Sequence, residues 1–317
     1  MKRMKSKIWI AGLVALLTVS CNYDPRAGIN EETPTRGNIK IGVDESFYLL
    51  SEAHLAVFQS IYENAHIKPL YKPELDVLND FLNDSIRLMV TSRKLTTEEL
   101  EYFKSRNIFP QTVTIAYDGI AFIVNKTNKD SLIRYNQIRD IFLGKIDNWN
   151  KINPKNTNGA IKVVFDNIKS SNVRYLNEKF KVGSKFPKYC YSVNTNEEVI
   201  NYVEKNKNAI GVLSVNWISD KDDSITRGFL KRIKVVGVTP ENDPEGPEYT
   251  KPYAGFIAEK SYPFIREVYM INRESFSGLG SGYLQWVTAD QGQRIVLKMG
   301  MVPATMPIRL IKTKSNF

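Results

Sequence analysis

Short β-rich runs alternate with segments of helical periodicity along most of the chain, from about residue 39 onward. The run IKIGV predicts a first strand, and SEAHLAVFQSIYENA predicts the helix after it. Strand-like HIKPLYK and RLMVTSR then alternate with helical PELDVLNDFLND and TTEELEYFKSRN. In the last of these helices, Thr96 and Glu99 have the spacing of a capping box. This alternation predicts an α/β fold with largely parallel sheets.

A long β-rich segment, residues 111–128, interrupts the alternation. The Asp118-Gly119 pair at its centre is typical of a hairpin turn, but the segment can also be one strand that crosses from one lobe to another. We favour the crossing because a second α/β series follows, through IKVVF, NEEVINYVEKN, AIGVLS and IKVVGVT. YAGFIAE is the candidate return crossing, and GYLQWVTADQGQRIVLKMG predicts one long closing helix.

The second lobe is therefore predicted as an insertion in the first, with two crossing segments and a cleft between the lobes. The predicted boundaries are residues 1–20 for a signal peptide, 21–37 for a tether, 38–117 and 251–317 for the two parts of lobe I, and 118–250 for lobe II. Ligands of such sheets bind beyond the carboxyl ends of the strands. The cleft is therefore the expected binding site.

The leader has the pattern of an export signal. Four cations precede a short apolar stretch from Ile8 to Val19, and Cys21 follows. The stretch is short for a membrane span, and small or apolar residues before a cysteine resemble the lipobox of bacterial lipoproteins, although Thr18 stands where leucine is usual. We expect Cys21 to become a lipidated N-terminus that holds the protein to a membrane. An ordinary signal peptide with a coincidental cysteine is the alternative.

Composition narrows the function classes. The net charge of +10 falls to about +6 without the leader's four cations. The sequence has no stripe of basic and aromatic residues, which is the pattern that would indicate nucleic-acid binding. With two histidines and two cysteines, of which Cys190 is the second, a metal or cofactor site is not expected. The chain has no G-x-S-x-G, H-E-x-x-H or C-x-x-C motif and no plausible triad. A binding protein is therefore favoured over an enzyme.

The stretch FDNIKSSNVRYL is the first candidate for a binding site. Apolar residues repeat at helical spacing after it, so a helix is predicted to begin near Ser171. The first amides of a helix have no internal acceptor and, with the helix dipole, favour an anion. Ser170, Ser171 and Asn172 can donate to an oxyanion there. Plain helix capping is the alternative interpretation.

Three further segments place polar groups where strands end. Ser92 and Arg93 follow a predicted strand, and an arginine offers paired donors matched to phosphate or carboxylate. Ser46 lies between the first strand and the first helix, and Asp118 lies at the proposed crossing. Each also has an ordinary structural interpretation, as a surface cation, a cap or a turn residue.

The runs AYDGIAFIVN, IRDIFLGKIDNWNKI and YLQWVTADQGQRIVLKMGMVPA, together with these segments, resemble the periplasmic phosphate-binding proteins of ABC transporters, the PstS family. The resemblance extends from about Ile39 to Ala304. It implies a two-lobed fold that closes over inorganic phosphate without chemistry. It also implies delivery to the membrane subunits of an ABC transporter on the periplasmic side of a bacterial membrane.

The resemblance also implies which residues contact the anion. The positions that match the family's contacts are Ser46 and Phe47 in the first loop, the pair Ser92 and Arg93, Asp118 in the crossing segment, and Ser170, Ser171 and Asn172 at a helix start. Phosphate carries a proton near neutral pH and sulfate does not. A carboxylate in the cleft can therefore accept a hydrogen bond from phosphate, whereas it repels sulfate. Asp118 is the first candidate for that carboxylate, followed by Glu45 and Asp166.

The chain also departs from the family pattern. Ser171 replaces a glycine, and Asn172 replaces a threonine. The family commonly has an arginine a few residues upstream, and the matching position here falls near Asp166 and Asn167. The cation of that arginine is then missing unless Arg174 or another residue supplies it. A phosphate receptor is our interpretation. A receptor or sensor for another oxyanion is the alternative, and a phosphoester hydrolase is less favoured.

Overall fold

The fold is described from a computed structural model that covers residues 32–183, 185–219 and 224–308, with residues 224 and 225 described by their backbone alone. The predicted signal peptide and Cys21 lie outside these residues. Among the helices that the structure describes, none is both long enough and apolar enough to cross a membrane.

Twelve strands and ten α-helices are formed by the described residues. The strands are β1 Gly37–Asp44, β2 Ala65–Lys72, β3 Leu88–Thr91, β4 Gln111–Asn125, β5 Leu132–Ile133, β6 Lys162–Phe165, β7 Cys190–Ser192, β8 Ala209–Ser214, β9 Ile233–Val235, β10 Gly237–Val238, β11 Ile265–Asn272 and β12 Val302–Pro303. The helices are α1 Tyr48–Ile61, α2 Glu74–Leu82, α3 Thr97–Lys104, α4 Tyr135–Phe142, α5 Ser171–Phe180, α6 Asn196–Lys205, α7 Ser224–Arg232, α8 Ala254–Ala258, α9 Leu279–Thr288 and α10 Asp290–Lys298.

Strand β4 joins two half-sheets into one sheet, whose main strand order is β2-β1-β3-β11-β4-β8-β6-β7. Its first half pairs antiparallel with β11 and β12, and its second half pairs antiparallel with β8 and β9. Beyond these pairs, β1 is parallel to β2 and β3, and β6 is parallel to β7 and β8. The segment around Asp118-Gly119 is therefore a continuous crossing strand, as favoured, and not a hairpin.

Buried apolar side chains form the core of each half-sheet. Around the second half of β4, the Phe122 and Phe264 rings pack edge to face with their centres 5.0 Å apart, and Phe142 and Trp149 are buried beside them. In an α/β fold this burial is the main stabilising contribution. The buried core fixes the positions of the strand ends that face the space between the two half-sheets.

Two predictions at the end of the chain are wrong. YAGFIAE forms the short helix α8, and β11 is the strand that returns alongside β4. The predicted closing helix is broken at Ala289, whose backbone is extended, into α9 and α10. The break brings the two helices so close that a Cβ atom on Gly292 would lie 2.3 Å from the Val287 carbonyl oxygen. Gly292 therefore permits this close packing. The apolar periodicity of the sequence continues through the break and so does not indicate it.

Candidate functional site

Polar side chains from both half-sheets meet where the strands end or cross, and they are buried between the two halves. This is the position at which open α/β sheets bind ligands. We call this group the interlobe cluster, and its members are Asp44, Ser46, Ser92, Asp118, Asp166, Ser170, Ser171, Asn172, Ser214 and Arg266, each less than a tenth exposed. Six of the eight residues predicted to contact the anion belong to it.

The cation of the cluster is Arg266 on β11, which the sequence analysis did not identify. Its Nε donates to Asp118 Oδ2 at 2.8 Å, and its Nη1 donates to Ser171 Oγ at 2.9 Å. The side chain is 3% exposed, and the guanidinium carbon lies 5.0 Å from the centre of the predicted contact residue Phe47. The buried Nη2 has no hydrogen-bond partner among the described residues. Because buried donors normally have acceptors, Nη2 is a donor suited to an anion.

Both carboxylate oxygens of Asp118 are engaged by protein donors. Oδ2 accepts from Arg266, while Oδ1 accepts from Ser214 Oγ at 2.8 Å and from the Val215 amide at 3.2 Å. Burial raises the pKa of this carboxyl, although Arg266 and the hydrogen bonds oppose the rise. Asp118 thus fixes the orientation of Arg266. Its contact with a ligand proton stays a prediction.

Helix α5 begins with the three small polar residues that the sequence analysis singled out. Ser170 is the N-cap: its Oγ accepts from the Val173 amide at 3.4 Å and donates to Asp166 Oδ1 at 2.8 Å. Asn172 Nδ2 also donates to Asp166 Oδ1, at 3.1 Å, and its own Oδ1 is buried with no partner in the part of the chain described. Capping therefore accounts for Ser170 alone. Ser171 and Asn172 occupy the helix start, where an anion is favoured.

Asp44, at the end of β1, reaches Ser171 from the other half of the sheet. Ser171 Oγ donates a short hydrogen bond to Asp44 Oδ2 and lies 3.2 Å from Ser46 Oγ. Asp44 also accepts from the Ser46 amide at 3.2 Å, as the N-cap of the short 3₁₀ turn Glu45–Phe47. Burial, reinforced by the nearby Glu74 carboxylate, raises the pKa of Asp44 to about 7. Asp44 is thus a second functional candidate that sequence reasoning missed.

Arg174, the named candidate for the missing cation, is neutralised by a carboxylate. Its Nε lies 2.5 Å from Glu74 Oε2, and its Nη2 donates to Ser92 Oγ at 2.8 Å. Glu74 also accepts from Thr91 Oγ1 at 2.7 Å and from the Ser92 amide at 3.0 Å. Burial works to raise the pKa of Glu74, but the hydrogen bonds and charge of Arg174 outweigh it and hold that pKa low. The pair ties α5 to α2 across the cleft.

Arg93 lies at the margin of the cluster. Its Nη2 donates to Glu99 Oε2 at 2.7 Å, and its Nε donates to the Lys94 carbonyl at 3.1 Å. With Lys169 and Arg174 it lines a surface cavity of about 310 Å³ beside the cluster. The structure therefore does not bring the Arg93 guanidinium together with Arg266. Its contact with the ligand stays a prediction.

Carboxylates outnumber cations in the cluster. Burial raises the pKa of Asp166, whose hydrogen bonds with Ser170 and Asn172 oppose the rise. Beside the cluster, burial also raises the pKa of Glu45 to about 8, and both Glu45 oxygens lie 3.2 Å from the Asn196 amide at the start of α6.

Hydroxyls, a helix N-terminus and a guanidinium N–H can bind an oxyanion, and the carboxylates can accept its protons. Within the described ranges, no group of His, Cys, Asp and Glu side chains is arranged to hold a metal.

Comparison with known proteins places this geometry in context. A family model of the PBP superfamily domain matches residues 28–291. The chain is 26% identical to the phosphate-binding protein PstS of Staphylococcus saprophyticus, over 67% of this chain and 64% of that protein. It is 22% identical to the phosphate-binding protein PstS of Borreliella burgdorferi, over 92% of this chain and 96% of that protein. The match thus spans less than two thirds of the staphylococcal relative and nearly all of the Borreliella one.

Two solved structures share the fold. A substrate-binding protein from Clostridium perfringens, solved with bound phosphate, has a TM-score of 0.69 at 23% identity and covers 84% of this chain and 100% of its own. An ABC-type phosphate transport receptor from Vibrio cholerae has a TM-score of 0.61 at 18% identity, over 85% of this chain and 100% of its own. These similarities confirm the predicted two-lobed α/β fold.

Proposed function

Because the chain belongs to the PBP superfamily, we propose that it captures inorganic phosphate between its two lobes and delivers it to an ABC transporter. The observation that carries the proposal is the buried Nη2 of Arg266, which has no hydrogen-bond partner among the described residues, on a guanidinium whose Nη1 contacts Ser171 at the start of α5. An arginine that is fixed by a carboxylate on one side and has a free donor on the other is suited to hold an oxyanion.

The proposed contacts combine the sequence predictions with Arg266. The proposed ligand contacts besides Arg266 are the hydroxyls of Ser46, Ser92, Ser170 and Ser171, the Asn172 side chain, and Phe47, whose ring lies beneath the guanidinium. Asp118 and Arg93 are further predicted contacts. Both PstS relatives are named as phosphate-binding proteins, and the Clostridium perfringens protein was solved with bound phosphate, which supports phosphate as the ligand. No chemical step is assigned to the site.

One observation favours a second candidate function. Asp166 stands where the resemblance places an arginine, and no ion pair neutralises it within the described residues. A receptor or sensor for another protonated oxyanion is therefore the alternative. Calorimetric titration with phosphate, arsenate and sulfate tests both candidates. Binding of phosphate with rejection of sulfate supports the proposal, whereas sulfate bound as tightly as phosphate would refute it.

The proposed location is extracytoplasmic, with the chain held to a bacterial membrane by lipid on Cys21. The charged and apolar leader followed by a cysteine supports this assignment. Mass spectrometry of the mature N-terminus is the direct measurement. An acylated Cys21 is expected, and an unmodified chain that starts elsewhere would contradict the anchor.

A further inference from the structure

Acids outnumber the guanidinium in the interlobe cluster, so its net charge is negative when every acid is ionised. Asp44, Asp118 and Asp166 are buried in it with Arg266, whose Nε is already bound to Asp118. A phosphate anion adds like charge where the low dielectric screens repulsion weakly. Protonation of one of the acids removes part of this repulsion.

The hydrogen bonds of Ser171 indicate that Asp44 is the acid that becomes protonated. Its Oγ donates to Asp44 Oδ2 and accepts from Arg266 Nη1 at 2.9 Å. A hydroxyl has one proton and two lone pairs, so the Ser171 proton is committed to Asp44 as long as that carboxylate is ionised. Ser171 then has no proton for a ligand, although it is the first residue of α5.

We infer that phosphate binds together with one proton, which Asp44 takes up and which reverses its hydrogen bond with Ser171. The proton comes from solvent and adds to Asp44 Oδ2, and no covalent bond of the ligand changes. The Asp44 O–H then donates to the second lone pair of Ser171 Oγ, and the Ser171 hydroxyl proton turns to a phosphate oxygen. This inference rests on the proposed function.

The charged groups that face Asp44 set the direction of the linkage. Glu74 on α2 and Asp166 after β6 favour the protonated acid, Arg266 on β11 favours the ionised one, and Glu45 follows Asp44 in the chain. Burial with these charges raises the pKa of Asp44 to about 7 without ligand, and a bound anion raises it further. Affinity is therefore greatest below this pKa and falls by up to about tenfold per pH unit as the pH rises above it.

Titration calorimetry with inorganic phosphate measures the proton directly. At about one pH unit above the pKa of free Asp44, the titration is repeated in two buffers that differ in ionisation enthalpy. The dependence of the heat on the buffer gives the number of protons taken up. The wild type should take up about one proton more than Asp44→Asn, because the asparagine amide donates to Ser171 permanently. The ionisation of phosphate itself is common to both and cancels.

Asp130→Asn is the control, because it makes the same substitution at an acid outside the interlobe cluster. The Asp130 carboxylate accepts from Asn153 Nδ2 at 2.7 Å and from Asn156 Nδ2, and neither partner belongs to the cluster. The proton count of this variant should equal that of the wild type. Equal counts for wild type and Asp44→Asn would overturn the inference and leave phosphate binding intact. Absence of phosphate binding by the wild type on either side of the pKa would instead overturn the proposed function, and this inference with it.

Carbon-13 NMR of the aspartate carboxyls provides a measurement that does not depend on a variant that binds. The Asp44 signal, assigned by its absence from the Asp44→Asn spectrum, should move from the ionised to the protonated position when phosphate saturates the wild-type protein at the same pH. An Asp44 signal that remains at the ionised position under saturating phosphate contradicts the inference.

Discussion

Arg266→Met removes the guanidinium while keeping a long apolar side chain at the same place. Arg266 is 3% exposed and Asp118 is fully buried, so the substitution leaves the Asp118 carboxylate without its cation. Asp118 keeps the hydrogen bonds from Ser214 and Val215 on Oδ1. Breaking a buried pair in this way costs about 3–5 kcal/mol of unfolding free energy. Urea unfolding should show this loss.

The same substitution should weaken phosphate binding, because it removes the donor Nη2. Loss of a charged partner from a buried site costs about 2–5 kcal/mol of binding free energy, and the lower value corresponds to roughly a 30-fold weaker affinity. Adding Asp118→Asn should separate the two effects. The neutral amide restores most of the unfolding free energy, while calorimetry should still find weak binding.

Arg273→Met is the control for loss of any buried arginine. Arg273 follows the end of β11, and its Nη1 donates to the Phe81 carbonyl at 2.8 Å and pairs with Asp84 at 3.2 Å. At seven residues from Arg266 it lies roughly 20 Å along the strand direction. Its loss should reduce stability and leave phosphate affinity near the wild-type value. Wild-type affinity in Arg266→Met would refute the assignment of Arg266 to the anion.

Three further outcomes are expected. Arg93→Ala should weaken phosphate binding less than Arg266→Met in the same titrations, because its guanidinium is held by Glu99 at the margin of the cluster. Burial lowers the pKa of His54 to about 4 from its ordinary 6.5. Unfolding free energy should therefore fall by roughly 3 kcal/mol as the pH drops between these values, and His54→Gln should flatten this dependence in urea unfolding. Gly292→Ala should lower the melting temperature because its Cβ meets the Val287 carbonyl, whereas Gly228→Ala, with open space around it, should not.

The parts of the fold that the sequence predicted correctly depend on local chemistry. The capping box of Thr96 and Glu99 forms as expected, because both of its hydrogen bonds lie within one helical turn. The start of α5 is placed correctly because small polar residues precede an apolar repeat. By contrast, the break at Ala289 depends on how closely two helices pack, and no proline or glycine marks the break point itself.

Arg266 was missed because its role depends on a contact across 148 residues of sequence. Its strand, IREVYMIN, carries a usable signal: Arg266 stands at an inward position of an otherwise β-rich run, where a charge needs a partner. Local periodicity does not say which partner. The register of β11 against β4, which pairs Arg266 with Asp118, comes from the topology of the whole sheet.

The source of the positive charge also determines how this site can work. In the family that the chain resembles, the cation lies just before the helix that binds the anion. Here Asp166 lies at that position, and Arg266 comes from the returning strand β11. Contacts between the lobes then complete the site: Arg174 reaches Glu74 from the other side of the cleft. Under the proposed function, a ligand that contacts both lobes binds the closed form better, and by that difference it shifts the population toward closure. We therefore expect ligand affinity and lobe closure to depend on the same buried charges, so that a change in the ionisation of the cluster alters both.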